Sequence, residues 1–95
     1  MWGVYIVECS DGTLYTGATN GLERRLKAHN ACKGAKYTQT RTPVVLRCWV
    51  GGMTKSEALS LEWKIKQQPR RDKIEFLKKQ SKTFMMSRDN HYECV

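Results

Sequence analysis

The sequence lacks any apolar run long enough to cross a membrane, and it opens with neither a charged leader nor an extended apolar core. Neither a signal peptide nor a transmembrane span is therefore expected. No long amphipathic stretch carries a basic face, so no membrane partner is expected either. Acids are scarce: nine Asp and Glu stand against 17 Lys and Arg, giving +8 and a pI near 9.6. Over so short a chain that is a strong positive field, and polyanions are its natural partners, with a merely solubilising surface as the plainer alternative. The four cysteines (Cys9, Cys32, Cys48, Cys94) show no C-x-x-C pairing; they read as reduced thiols in a cytoplasmic protein. His91 and Cys94 make at most half a zinc site, with no second half following. There is no internal repeat, low-complexity segment or domain boundary. Ninety-five residues make one domain near the small end of what buries an adequate core.

What is present begins with MWGVYIVECSDGTLYTG, which reads as a β-hairpin: an apolar run Trp2–Val7, a tight turn, then Leu14–Gly17. Ser10-Asp11-Gly12 suits a three-residue loop closed by Gly12 in the left-handed region. Cys9 then faces Thr13, Val7 faces Tyr15, and Tyr5 faces Gly17. In that register Tyr5 and Tyr15 share a face as diagonal neighbours, about 7–8 Å apart or less. A two-residue Asp11-Gly12 loop would send the two phenols to opposite faces. Each phenol lies close to a glycine, Gly3 or Gly17.

Asn20 is placed to cap a helix, with Glu23 at the capping-box position and Gly34 to stop it. Leu22 and Leu26 form its buried stripe, Arg24 and Lys27 point away, and Arg25 and His29 lie one turn apart on the stripe's edge. Gly34–Pro43 is a polar loop carrying Lys36, Tyr37 and Arg41 without an acid, a surface suited to a phosphate backbone or an unstacked base. Val44–Val50, between Pro43 and Gly51-Gly52, predicts an interior strand. Thr54 and Glu57 give a capping box opening a helix to about Gln67. Its apolar arc is broad, with Ala58, Leu61 and Ile65 on one side and Leu59 and Trp63 on the other. Glu62 falls inside that arc, where a carboxylate is costly without a partner or a metal; an i,i+4 pair with Lys66 is the plain alternative. Pro69 opens a third helix to about Gln80, with Ile74 and Leu77 inward and a basic strip that includes Arg70, Arg71 and Lys73.

Tyr5, Tyr15, Arg25, His29 and Glu62 are the residues that resist a bland reading. Their setting resembles the GIY-YIG nuclease family, with Gly3-Val4-Tyr5 and Tyr15-Thr16-Gly17 looking like its paired signatures. An arginine ten residues past the second tyrosine, a histidine four further on and a glutamate on the next long helix fit too. The resemblance covers residues 2–80. The GAKYT and EALSLEWKIK stretches are most similar to the small bacterial branch and to the catalytic module of Slx1-like endonucleases. Val4 and Thr16 replace isoleucines, Ala18 stands where some relatives place a lysine, and the late asparagine of some members has no clear counterpart.

The resemblance implies phosphodiester hydrolysis with one divalent ion, Mg²⁺ or Mn²⁺, held by Glu62. Arg25 would face the transition-state oxygens, and Tyr5 would accept the water's proton, with His29 as rival base or relay. Tyr15 would position water or phosphate, and Gly17 would keep the space before Tyr5 open. The expected function is a metal-dependent endonuclease on branched, flapped or single-stranded DNA, serving repair or recombination. RNA as substrate and a targeting protein partner are left open. The alternative is a non-cleaving nucleic-acid binding module, with Lys36, Tyr37, Arg41, Arg70, Arg71 and Lys73 as contacts in either case. The expected fold is α/β (α+β): a small three-stranded, largely antiparallel sheet flanked by three helices, in the order ββαβαα. Residues 1–82 form the domain and 83–95 a tail of uncertain order.

Overall fold

The computed structural model describes residues 1–33, 36–84 and 92–94. The hairpin consists of β1 (Trp2–Glu8) and β2 (Leu14–Thr19). Their register is the expected one, with Val7 opposite Tyr15 and Tyr5 opposite Gly17. Gly12 takes φ +83°, and its N–H donates to the Cys9 carbonyl at 2.9 Å while Cys9 donates to Thr13 at 2.8 Å. Asp11 Oδ1 accepts from both the backbone and the hydroxyl of Thr13 (3.1 and 2.6 Å). That local bonding favours the three-residue loop and puts both phenols on one face.

The first helix, α1 (Leu22–Asn30), begins one residue later and ends earlier than expected. Gly21 is its N-cap, and no side chain caps it. Asn20 Oδ1 instead accepts from Arg24 Nη2 at 3.2 Å, so the Asn20–Glu23 capping box does not form. At the other end the Asn30 amide clamps the backbone of Val44, donating to its carbonyl (3.3 Å) and accepting from its N–H (2.7 Å). Cys32 follows at φ +59°, which no helix continues through. Gly34, the expected stop, lies outside the described residues.

The third strand, β3 (Val45–Met53), runs through Gly51 and Gly52 instead of ending before them. Gly51 stays in the strand because the Trp49 ring covers it, an ideal Cβ there falling 2.9 Å from the ring. Next come α2 (Lys55–Lys66), α3 (Arg70–Phe84) and β4 (Tyr92–Cys94). The α2 capping box forms as expected, Glu57 N–H to Thr54 Oγ1 (3.2 Å) and Thr54 N–H to Glu57 Oε1 (2.9 Å). Strand pairing is antiparallel throughout, in the order β2-β1-β3-β4. The three expected strands and three helices thus gain a short edge strand from what reads as tail, and α3 runs four residues past Gln80.

Both faces of β1 are covered. Val4 and Ile6 join Cys48, Val50, Ala58, Leu61, Ile65 and Leu77 on the α2/α3 side; Tyr5 and Val7 join Leu22 and Leu26 on the α1 side. The buried stripe of α2 is narrower than expected. Leu59 and Trp63 are 44% and 65% exposed, because α2 packs on β1 and β2 with α3 beside it, and only the Ala58–Leu61–Ile65 stripe meets the sheet. A second correction concerns thiols: Cys9 and Cys32 are free, but Cys48 is disulfide-bonded, on a strand whose register sets Cys48 opposite Cys94. Among the described residues no helix is long and apolar enough to cross a membrane.

Candidate active site

The hairpin register decides where Tyr5 sits, and the absence of a side chain at Gly17 decides how. A Cβ on Gly17 would collide with the Tyr5 hydroxyl and ring; the phenol itself fills the space that the glycine was expected to keep open. Gly3 plays a different part, since its missing Cβ admits the Trp49 ring and the β3 backbone. Tyr5 is 1% exposed, yet its hydroxyl is bonded on two sides. His29 Nε2 lies 2.9 Å away, and Arg25 Nε donates to the same oxygen at 3.3 Å. Both partners come from α1, one turn apart, which is why the i,i+4 spacing brings them to one oxygen.

His29 is fully buried, and its other nitrogen, Nδ1, lies 2.7 Å from Thr38 Oγ1. A neutral imidazole between two hydroxyls satisfies both by donating to one and accepting from the other. Burial, helped by the nearby Arg25 charge, lowers the His29 pKa below its ordinary 6.5. Burial also raises the Tyr5 phenol above 10.0, against the lowering effect of the Arg25 hydrogen bond and charge. Arg25 is shifted upward, first through its bond to Tyr5. The result is one hydrogen-bonded line, Arg25–Tyr5–His29–Thr38. Thr38 carries no signal in the sequence, because a threonine in a polar loop has neither period nor partner to mark it.

Tyr15 completes an aromatic corner, with ring centroids 6.4 Å from Tyr5 and 5.5 Å from His29. Tyr37 stacks on Tyr15 at 5.9 Å and 22°, and the Arg41 guanidinium lies 4.1 Å over Tyr37. Arg41 is itself tied to Asp11 (3.0 Å) and to the Tyr37 carbonyl (2.7 Å). The basic loop is thus buttoned onto the hairpin turn, and Tyr37 is brought to the site. Lys36 is exposed beside it.

Glu62 approaches from α2. Its carboxylate is half-buried and pairs with Lys66 at 3.3 Å, the i,i+4 alternative. Lys66 Nζ in turn lies 5.8 Å from the Tyr15 ring centroid, and the Glu62 charge adds only the smallest share to a rise of the Tyr5 pKa that burial dominates. Four of the five expected side chains meet, Tyr5 and His29 beneath with Arg25 and Tyr15 towards the surface; Glu62 is linked to them through Lys66, which lies between it and the Tyr15 ring. Of the α3 strip, Arg70 donates to the Gly12 carbonyl through Nε and Nη2 (3.1 and 2.6 Å); Arg71 is exposed and Lys73 half-buried.

Among the described residues no three His, Cys, Asp or Glu side chains cluster as a ready-made metal cage. A single half-buried carboxylate still suits one kind of ion. Mg²⁺-type cations keep most of their waters and take one or two protein carboxylates plus substrate phosphate oxygens. Glu62 is the residue able to hold such an ion, and the Lys66 ammonium already marks a place for positive charge beside it.

Comparison with known proteins gives the family of the chain. Residues 1–75 match the GIY-YIG catalytic domain family. A UPF0213 protein of Halobacterium salinarum is 53% identical over 73 residues, 77% of this chain and 95% of that one. Another from Staphylococcus haemolyticus is 50% identical over 74 residues, covering 78% and 90%. The solution NMR structure of a UPF0213 protein from Bacillus halodurans aligns at a TM-score of 0.51 with 42% identity, over 82% of this chain and 84% of that chain.

Proposed function

The chain belongs to the GIY-YIG catalytic-domain family, and from that premise we propose that it is a divalent-metal-dependent endonuclease acting on DNA. The preferred substrates are flapped, branched or single-stranded, as expected of an enzyme of repair or recombination. The observation that carries this reading is the two-sided bonding of the Tyr5 oxygen, between Arg25 and His29.

A divalent ion bound at Glu62, Mg²⁺ or Mn²⁺, would supply positive charge to the phosphate and to the departing oxygen. The protein's own groups do the rest. Arg25, always charged and planar, is held by Tyr5 so that its remaining N–H groups face a phosphate without reorganising. Tyr5 accepts the proton of the attacking water while passing its own proton to His29 Nε2. Both nitrogens of His29 are already engaged, so His29 acts through Tyr5 and not directly on water. That engagement favours the relay over His29 as the rival base. A raised phenol and a depressed imidazole make the relay unfavourable at rest; nearby cationic charge favours proton loss from the phenol and the water but opposes the imidazolium that results. Tyr15 and Tyr37 line the approach. Lys36 and the exposed end of α3 with Arg71 and Lys73 supply phosphate contacts, while Arg41 and Arg70 chiefly lock the hairpin turn to its neighbours.

The test is nicking of a panel of flapped, branched, duplex and single-stranded DNA with Mg²⁺ or Mn²⁺. Wild type should cut, Arg25→Ala should lose roughly a hundred- to a thousandfold in rate, and Glu62→Gln should lose metal-dependent turnover altogether. Equal cutting by all three would sink the reading. Salt-sensitive binding with no cutting of any substrate would favour the non-cleaving module.

A further inference from the structure

Beside the phenol pair, along the outer edge of β2, the structure opens a cleft of about 310 Å³ lined by Trp2, Ala18, Thr19, Arg24, Arg25 and Ala28. Resting on the nuclease reading, we infer that this cleft is a nucleotide subsite, seating one unpaired nucleotide of the substrate strand next to the phosphodiester at Arg25, with Arg24 holding that nucleotide's phosphate.

Arg25 belongs both to the cleft and to the reacting centre, since its Nε rests on Tyr5. Whatever occupies the cleft is therefore an immediate neighbour of whatever Arg25 contacts. Helical period sends Arg24 outward, and it is exposed in the structure, with its side chain lying along the start of α1. Its guanidinium bonds Asn20 Oδ1 at 3.2 Å and lies over Gly21, where an added Cβ would stand 3.1 Å from Nη2. That explains why Asn20 is not the helix cap: it positions Arg24. Among the described residues neither arginine has an acid within ion-pair distance. Two unpaired guanidiniums on one wall call for a phosphate, which their forked N–H groups match. A third cation, Lys55, lies 5.5 Å from the Trp2 ring centroid. The strand side is apolar, with the Trp2 indole and Ala18, while Ala28 keeps the α1 side low beside the arginines. Such a wall suits a sugar and a base, and the volume suits one nucleotide, not a duplex.

The probe is a fluorescently labelled single-stranded DNA decamer, titrated by anisotropy onto the full chain in the Glu62→Gln background so that it is not consumed. Arg24→Gln should weaken binding roughly tenfold and make the salt dependence shallower by about 0.7, the share of one phosphate contact on a single strand. Lys27→Gln, the same charge change on the outer side of α1, should do neither. Ala28→Leu fills the cleft without altering charge and costs the helix little, since leucine ranks just below alanine, and it too should weaken binding. In ¹⁵N spectra the Trp2 indole N–H signal should move with the decamer and that of exposed Trp63 should not. Equal losses for Arg24→Gln and Lys27→Gln, unchanged affinity in Arg24→Gln or Ala28→Leu, or a still Trp2 signal would each overturn the subsite. Such a result, with wild type still nicking DNA and Glu62→Gln not, leaves the nuclease reading standing. Conversely, a decamer that binds in the cleft while wild type cuts nothing supports the subsite and defeats the nuclease.

Discussion

At the scale of single residues, the site depends on a few atoms that are held or withheld. Gly17 shows the second kind. A methyl group there meets the Tyr5 phenol head-on, so Gly17→Ala should push the ring off its place, destabilise the fold by about 1–3 kcal/mol as overpacking does, and abolish cleavage. Denaturant unfolding and the nicking assay check both halves; wild-type-like activity would mean that the phenol's position does not matter. His29 gives the pH dependence. Its folded pKa lies below its ordinary 6.5, so the folded state holds this proton less readily than the unfolded chain. The sign follows: the stability it contributes is fully present above pH 6.5 and is lost as pH falls through that value towards the folded pKa. Wild type should therefore lose more stability than His29→Gln between about pH 7.5 and pH 5, read from denaturation midpoints. Thr38→Val removes the partner of Nδ1 and leaves a buried nitrogen unsatisfied. Its cleavage rate should fall with a displaced pH profile while affinity for DNA holds; an unshifted profile would remove Thr38 from the line.

At the scale of elements, the hairpin and the α2 start were legible because their signals are local. The Asp11–Gly12 turn and the Thr54–Glu57 box each satisfy backbone groups within three residues, so spacing alone reveals them. The α2 box is a stability device set apart from the chemistry. Thr54→Ala should lower stability by about 1 kcal/mol and leave the metal-saturated cleavage rate within twofold of wild type. A large loss of rate at temperatures where the variant is folded would show that the helix start also sets Glu62. What stayed hidden was decided by distant partners. Asn20 looks like a cap until Arg24 competes for its amide; α1 looks longer until the Asn30 side chain finds Val44. Leu59 and Trp63 count as core by residue type, but only the packing of α2 against the sheet and α3 shows them to be outside. The expected catalytic set was readable as an ordered pattern, yet nothing in the pattern said that His29 would be wholly buried with Thr38 behind it.

At the scale of the whole molecule, the +8 charge is unevenly neutralised. Asp11, Glu8 and Glu62 spend their charges on Arg41, Arg47 and Lys66, while Arg24, Arg25, Lys36 and Lys55 have no acid in reach among the described residues. These four stand at or beside the aromatic corner and the β2 edge, so uncompensated positive charge is present where a strand would lie. A single strand touching all four should bind with a log–log salt slope near −2.8, about 0.7 per phosphate neutralised. The fold itself is held by two apolar layers either side of β1, which salt does not weaken. Raising NaCl from about 50 to about 300 mM should therefore reduce single-strand affinity more than a hundredfold while the melting temperature holds or rises. A flat affinity over that range would mean that the cations face solvent and not a polyanion. A melting temperature falling in step with affinity would mean that ion pairs hold the fold, against the packing seen here.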